Sequence, residues 1–514
     1  MTANNPVTVF PPDEYNKALV AHVHPPDWVN PQPVDCYDLV VLGGGTAGLV
    51  AAGGAASLGI GLKVALVESH LLGGDCLNFG CVPSKTLLRS GRAVADVRAA
   101  VNFGVELPPG IEINFSAVME RLRRVRATIS HHDSAQRFSQ EFGVDVFLGK
   151  GQFTDNQTIS AEGVPLRFKK AVIATGARAA QLQIPGLSEV GYLTNETVFS
   201  LTERPQRLAV IGAGPVGCEL AQAFNDLGSQ VILLHKNSHI LDREDADAAE
   251  ILQQTLLTEG IRLILGCQLE RVEKIDGGKV LHLRCNGNLE FVIVDEILLA
   301  AGRSPNVENL NLAAVGVAWD QRGVKVNDYL QTSNPKIFAA GDICMDWKFT
   351  HAADAAARIV IRNALFAPFG LGRSKLSQLV MPWTTYTHPE IAHVGLYERS
   401  AQAQGIAVET IMIPFNDLDR AIADGEEVGF VKIHHRRGSD QIVGATIVAK
   451  HAGEMISELT VAIAHKIGLN KLAQVIHPYP TQAEAIKQAA DIYQRKSFAN
   501  PWTQTLLKLL NKLT

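Results

Sequence analysis

Long apolar runs, an excess of one charge and a dense cysteine framework are all missing from this chain. Across its 514 residues no apolar run reaches the eighteen or so residues of a membrane span, so no transmembrane helix is expected. The first residues show no charged stretch leading into an apolar core, so no secretory signal is expected and a cytoplasmic protein is. Lys and Arg number 47 and Asp and Glu 52, a net charge of −5, which gives no reason to expect a nucleic-acid surface. Seven cysteines is an odd count. Cys36, Cys218, Cys267, Cys285 and Cys344 are scattered, which fits a reducing compartment with one functional pair better than a secreted disulfide framework. Only Cys76 and Cys81 lie close together, and without a second close pair they make a poor zinc site, so no metal site is expected.

Glycine, by contrast, is plentiful at 44 residues, which suits an α/β protein with tight turns. The length exceeds one ordinary core, and three or so domains are expected. Residues 1–35 carry Pro6, Pro11, Pro12, Pro25, Pro26, Pro31 and Pro33 and are expected to form an extended arm without long helices. Tyr37–Leu42 reads as an apolar strand, followed by Gly43-x-Gly45-x-x-Gly48 and an Ala-rich helix to about Leu58. That context is what a dinucleotide fingerprint requires: the glycines admit a pyrophosphate to the backbone, and the helix N-terminus meets its charge. The next strand ends at Glu68, twenty residues after Gly48 and placed for the ribose hydroxyls. A second copy follows at Leu208–Ile211, with Gly212, Gly214 and Gly217 in the loop and a helix through about Leu227. Its second strand ends not on an acid but on His235 and Lys236, and a base there accommodates a 2′-phosphate. Two fingerprints imply two dinucleotides.

Between these copies lies Gly73-Gly74-Asp75-Cys76-Leu77-Asn78-Phe79-Gly80-Cys81-Val82-Pro83-Ser84-Lys85. Five residues of ideal helix rise about 7.5 Å, so a Cys76–Cys81 bridge would need a distorted turn, which Gly80 could permit. Two reduced thiols in a Gly-rich loop are the bland alternative. With the preceding fingerprint, the stretch resembles the redox signature of the flavin- and pyridine-nucleotide-dependent disulfide oxidoreductases. That family includes dihydrolipoyl dehydrogenase, glutathione reductase and mercuric reductase. Asp75 stands where the signature has Thr.

The resemblance spans about residues 36–495 and implies the rest of the architecture. It implies two Rossmann-like dinucleotide-binding domains, for FAD and for NAD(P), and a C-terminal α+β dimerisation domain. The expected boundaries are a proline-rich extension at 1–35, the FAD domain at 36–190 and 306–375, the NAD(P) domain at 191–305, the dimerisation domain at 376–497 and an amphipathic tail at 498–514. Cys76 and Cys81 would form the redox disulfide, with Cys81 nearer the flavin. Lys85 would pair with Glu219 beside it, although an early-helix Glu also suits the helix dipole. The FAD contacts implied are Gly43, Gly45, Gly48, Glu68, Gly74, Asp75, Lys85, Gly151, Thr175, Gly176, Arg303, Gly341, Asp342, Thr350 and Ala352. Those of the nicotinamide cofactor are Gly212, Gly214, Gly217, His235, Lys236 and Gly302, with NADPH favoured and NADH possible. A homodimer is expected.

One departure bears on the acceptor. Disulfide reductases of the family carry His-Pro-Thr-x-x-Glu near the C-terminus, with the His as acid/base. Here the stretch is His477-Pro478-Tyr479-Pro480-Thr481-Gln482-Ala483-Glu484, which puts Tyr479 in the His position. A phenol is a poor base at neutral pH. His477 could substitute, and Glu484 could orient it or, with Thr481, only cap a helix. Mercuric reductases have Tyr there and a second Tyr where Tyr192 stands. No cysteine follows Cys344, so the terminal cysteine pair that passes mercury inward is not expected here, nor is an N-terminal metal-binding domain. The expected enzyme passes electrons from NADPH through FAD and the dithiol to Hg(II) or another thiol-reactive acceptor. The alternatives are a reductase of a small disulfide and a non-catalytic flavin-binding redox sensor. The tail, Trp502 to Leu513, spaces its apolar residues as a helix does. Docking on its own body is expected ahead of a membrane or a partner.

Overall fold

The computed structural model describes residues 7–108, 110–499 and 501–513. The first six residues of the proline-rich extension lie outside that set. The chain divides into two compact units, the first of 1–213, 220–236 and 262–378, the second of 214–219, 237–261 and 379–514.

In the first unit, five parallel strands run in the order Asp145–Leu148, Val64–Glu68, Tyr37–Leu42, Val164–Ile173 and Ile337–Ala339. Val64–Glu68 is buried at every position, as a strand covered on both faces must be, and its apolar composition follows from that. The leading half of Val164–Ile173 turns away into an antiparallel meander with Gly151–Asp155 and Thr158–Ala161. A second parallel sheet orders Arg262–Leu265, Gln230–His235, Arg207–Ile211 and Glu296–Leu299. Beside it, Cys267–Ile275, Gly278–Cys285 and Asn288–Val294 form an antiparallel meander.

That meander corrects the expectation that only one cysteine pair matters. Cys267 and Cys285 are disulfide-bonded, with Cα atoms 4.5 Å apart across neighbouring strands. The register shifts by one residue between Leu269 and Arg271, and this bulge sets Cys267 opposite Cys285.

The N-terminal extension is also not simply extended. Glu14–Val23 is a helix, possible because no proline falls between Pro12 and Pro25. Asp13 caps it, its carboxylate accepting the Asn16 N–H at 2.8 Å. Leu19, Val20 and Val23 are buried, and the helix packs on Phe115–Ser130.

The second unit is built on a five-stranded antiparallel sheet in the order Pro382–Thr385, Glu390–Gly395, Ile442–Ala449, Phe430–Arg436 and Val408–Pro414. Helices Ala452–Ala464 and Glu484–Phe498 cover it and share one apolar core that includes Ile447, Leu459, Ile486 and Ala490. Residues 237–261 belong to this unit. Glu244 there is buried and accepts hydrogen bonds from Trp383 Nε1 at 2.8 Å and from the Tyr397 hydroxyl. Lys432 joins Asp245 and Asp247, each at 2.7 Å. The last helix, Pro501–Asn511, has no buried residue, against the expectation of a tail docked on its own body.

Candidate active site

The first glycine loop is shaped by contacts that leave no room for a side chain. Gly43 has φ +101°, and a Cβ there would run into the Ala174 carbonyl. A Cβ on Gly48 would strike the Gly43 carbonyl oxygen. The redox loop begins against this same loop. Gly73 N–H donates to the Gly44 carbonyl at 2.8 Å, and a Cβ on Gly74 would come 2.7 Å from Gly45 Cα. The result is a trough without side chains at the N-terminus of helix Thr46–Ala56, which lacks a side-chain cap. Backbone donors and the helix dipole converge there, so the residues fit a pyrophosphate leading toward Cys76. Glu68 is buried, and its carboxylate accepts the N–H groups of Gly44 at 2.5 Å and His70 at 2.6 Å. Burial pushes its pKa up.

The other expected FAD residues gather around the same sheet. A Cβ on Gly151 would meet Leu42 Cδ2 at 2.5 Å, at the mouth of the first strand. Thr175 and Asn306 exchange hydrogen bonds at 2.9 Å, joining the two chain crossings at Gly176 and Arg303. Gly341 lies between Ala47 and Ala353, which a Cβ would meet at 3.2 and 3.5 Å. Ala352 is buried in helix Thr350–Leu365. Arg303 accounts for the departure at position 75. Its guanidinium bonds to Asp75 and to the Ala177 carbonyl and lies 3.3 Å from Asp342. Asp75 therefore comes with its own cation, so the acid adds no unpaired negative charge beside a phosphate.

The redox pair sits at a break between two helices. Cys76 lies within Gly74–Asn78, and Cys81 opens the nineteen-residue helix Cys81–Ala99. Gly80 separates them at φ −137° and ψ −110°, where a Cβ would press within 2.9 Å of the Asp75 carbonyl. The two cysteines are reduced, with no disulfide between them in this structure. Cys81 Sγ is 3.3 Å from the Thr350 hydroxyl, and Thr350 opens a sixteen-residue helix of its own. Two helix N-termini therefore face Cys81, a setting that favours thiolate. The Cys76 thiol is pushed up, first by its hydrogen bond to Cys81 and then by burial.

Arg126 braces this loop and was not legible as a site residue. It is 1% exposed, and burial pushes its guanidinium down to about 10. It donates to the Asn78 carbonyl at 2.8 Å and to Asn16 Oδ1 at 2.6 Å, tying the N-terminal helix to the redox loop. The Asn78 amide in turn donates to the carbonyls of Leu72 and Gly74. A signal existed: Arg126 continues the apolar phase of Phe115, Met119 and Leu122, where a charge is out of place. Beside Cys81, a cleft of about 400 Å³ is lined by Cys81, Val82, Lys85, Thr86, Arg89, Arg121 and Ile129. Lys85 thus stands one helical turn from Cys81, and three cations border the cleft.

The second glycine loop repeats the first. Gly212 has φ +107°, and a Cβ there would come 2.6 Å from the Ala300 carbonyl oxygen. His235 Nδ1 accepts the Ala213 N–H at 3.2 Å, the position at which Glu68 holds Gly44. Lys236 beside it is exposed. Gly214 precedes helix Pro215–Asp226, Gly217 lies in its first turn, and Gly302 takes φ +111°. Glu219 is buried in that helix, and its carboxylate accepts the Tyr386 N–H at 2.8 Å.

The residues expected to face the acceptor are spread over both units. Tyr192, in the first unit, packs half-buried on the core of the disulfide-bearing meander. Tyr479, in the second, is 70% exposed, and its hydroxyl donates to Asp419 at 2.7 Å. His477 turns elsewhere, its Nε2 2.9 Å from Glu458 rather than on Glu484. Glu484 opens a helix, but the Thr481 hydroxyl donates to the Pro478 carbonyl. Among the described residues no group of three or more His, Cys, Asp or Glu side chains could hold a metal ion.

Family models match most of the chain: "Pyridine nucleotide-disulphide oxidoreductase" over residues 37–357 and its dimerisation domain over 381–490. Mercuric reductase of Staphylococcus aureus is 35% identical over 458 residues, covering 88% of this chain and 82% of the relative. Dihydrolipoyl dehydrogenase of Chlamydia muridarum is 34% identical over 462 residues, covering 89% and 96%. Among solved structures, the Cu(II) complex of the HOCl-induced flavoprotein disulfide reductase RclA from Escherichia coli superposes with a TM-score of 0.79. It is 25% identical and covers 89% of this chain and all of that one.

Proposed function

The chain belongs to the pyridine nucleotide-disulphide oxidoreductase family, whose enzymes use FAD and NAD(P)H, and within it we propose a mercuric-reductase-like enzyme that draws electrons from NADPH. Bound FAD would supply two-electron transfer between the nicotinamide and the Cys76–Cys81 disulfide. The protein's part is to hold and poise the groups. The trough of Gly43, Gly45, Gly48 and Gly74 takes the pyrophosphate, with Glu68 at the ribose and Asp342 and Arg303 along the chain to the ring. Lys236 meets the 2′-phosphate of NADPH. Lys85, one helical turn from Cys81, would stabilise negative charge at the flavin and at the Cys81 thiolate. Cys76, released when the pair is opened, is the thiol that meets the acceptor. Tyr192 and Tyr479 flank it, Tyr479 coming from the second subunit of a homodimer, which the dimerisation domain fits. We place the enzyme in the cytoplasm, with domains of 36–190 and 306–375 for FAD, 191–305 for NADPH and 376–497 for dimerisation.

The observation that carries the acceptor reading is Tyr479. An exposed phenol hydrogen-bonded to Asp419 has its pKa raised by that carboxylate, so it is no base at neutral pH. A disulfide needs an acid to protonate the leaving thiolate. A soft cation held by thiolates needs two electrons and sulfur ligands instead. The balance is NADPH plus Hg(II) giving NADP⁺, a proton and Hg(0).

A second reading, reduction of a small disulfide, rests on the His477–Glu458 contact, because a carboxylate-oriented imidazole is a competent base. NADPH oxidation by the purified yellow protein separates the two. Turnover with Hg(II) in excess thiol, and none with glutathione disulfide or lipoamide, is expected. Turnover with a disulfide alone would sink the first reading. Cys76→Ser should abolish turnover while FAD stays bound.

A further inference from the structure

The helix Pro501–Asn511 has no role in the chemistry above, yet its composition is far from neutral. None of its residues is buried, although Leu506, Leu509 and Leu510 are among them. The turn continues past its end, with Lys512 N–H donating to the Leu509 carbonyl at 3.1 Å and Leu513 N–H to the Leu510 carbonyl at 2.9 Å. At about 100° per residue, Trp502, Leu506, Leu509, Leu510 and Leu513 fall within one arc of about 100°, and Lys508 and Lys512 lie outside it, about 150° and about 110° from its centre. Leu506, Leu509 and Leu513 are 55%, 58% and 77% exposed, so this stripe does not cover the chain's own core. The charge around it has one sign. Residues 492–514 hold Arg495, Lys496, Lys508 and Lys512 and no acid, in a chain whose net charge is −5.

We propose that this C-terminal helix seats the enzyme on an anionic lipid bilayer surface, lying flat with its leucines in the headgroup boundary and its lysines toward the lipid phosphates. An apolar stripe backed by lysines and lacking acids is the composition of an interfacial helix. It is too short and too polar on one side to cross, and among the described residues no helix is long and apolar enough to do so. A second copy of the tail is the poorer occupant, because two acid-free segments would bring only like charges together. Each lysine near an anionic surface contributes about fivefold in binding, so the attraction fades with salt.

The test uses full-length holoenzyme and sedimentation with phosphatidylglycerol–phosphatidylcholine vesicles, compared with phosphatidylcholine alone. Binding to the anionic vesicles, released by raised salt, is expected. It should be lost in a Leu506→Gln, Leu509→Gln, Leu513→Gln variant and weakened at least tenfold in Lys508→Glu, Lys512→Glu. Both variants should keep their FAD and their NADPH oxidation. Failure of the wild-type protein to sediment with anionic vesicles would overturn the proposal, as would equal binding to phosphatidylcholine. So would a triple variant that binds as before. A drop in the particle mass of the triple variant in light scattering, without vesicle binding by the wild type, would identify a second copy as the occupant.

Discussion

Thr350→Val removes one hydroxyl at nearly constant shape and should weaken the redox pair's acidity. The hydroxyl lies 3.3 Å from Cys81 Sγ, and it also bonds Cys76 and lowers that thiol's pKa against the larger upward push of Cys81 and burial. A hydrogen bond to a charged group is worth about 1.5–3 kcal/mol, and sulfur at this distance belongs at the lower end. About 1.5 kcal/mol is about one pKa unit. The two helix N-termini facing Cys81 persist in the variant, so their share of the stabilisation, about 0.3–1 kcal/mol each, does not change. The first apparent ionisation of the reduced pair should therefore rise by about one unit, and Thr350→Ser should restore it. The assay is the rate of iodoacetamide alkylation of the reduced enzyme against pH, with Cys76 and Cys81 peptides resolved by mass spectrometry. A profile that moves by less than about 0.3 unit, with FAD content intact, would refute the claim that this hydroxyl stabilises the thiolate.

Arg303→Leu leaves Asp75 and Asp342 without their shared cation and should destabilise the apoprotein by about 1–3 kcal/mol in urea unfolding, a partly exposed cluster being discounted for screening. Adding Asp75→Thr should recover part of that loss. In the second unit, burial opposes but hydrogen bonds from His434 and Lys432 hold Asp245 at about 2. Its stabilisation is complete above its ordinary 3.8 and is lost as pH falls through about 2, so Asp245→Asn should flatten the Tm–pH curve in that window by about 2 kcal/mol. His393, held at about 3 by burial against the Asp245 carboxylate that raises it, adds a loss that starts already below 6.5 and that Asp245→Asn does not remove but deepens. Lys236→Glu should lower kcat/KM for NADPH about tenfold or more while sparing NADH, as read in steady-state kinetics. Replacing Cys267 and Cys285 together with Ser should cost about 3 kcal/mol, from a loop of 18 residues, without changing turnover at permissive temperature.

The parts of this molecule that were legible in the sequence are those where a single backbone contact dictates the residue. Gly43 and Gly48 could be read because the contacts they make exclude any Cβ, so the motif is the geometry. The Cys267–Cys285 bridge could not be read for the opposite reason. A regular hairpin closed at Ile275 and Gly278 would set Cys267 against Asn286, and only the bulge near Glu270 shifts it to Cys285. The helix Glu14–Val23 is masked by the proline content of residues 1–35, although no proline falls between Pro12 and Pro25. His477 and Tyr479 illustrate a third limit. Two residues apart, they bond to Glu458 and Asp419, partners 19 and 60 positions away that no local pattern names.

The two glycine loops separate jobs that one acid usually combines. At the first loop Glu68 accepts the N–H of Gly44, the middle residue of Gly43-Gly44-Gly45, from the strand end where the fingerprint places the ribose acid. At the second loop the same backbone N–H, now of Ala213, is held by His235 through Nδ1. The loop-closing hydrogen bond therefore survives without a carboxylate, since a neutral imidazole nitrogen accepts as well as an oxygen does. What is lost is the negative charge, and the next residue, Lys236, adds a positive one at the surface. Had the acid simply decayed, the Ala213 N–H would be left without its acceptor and the loop would loosen, at about 1–3 kcal/mol. Retention of the bond together with a positive charge beside it is the physical ground on which we propose NADPH for the second loop.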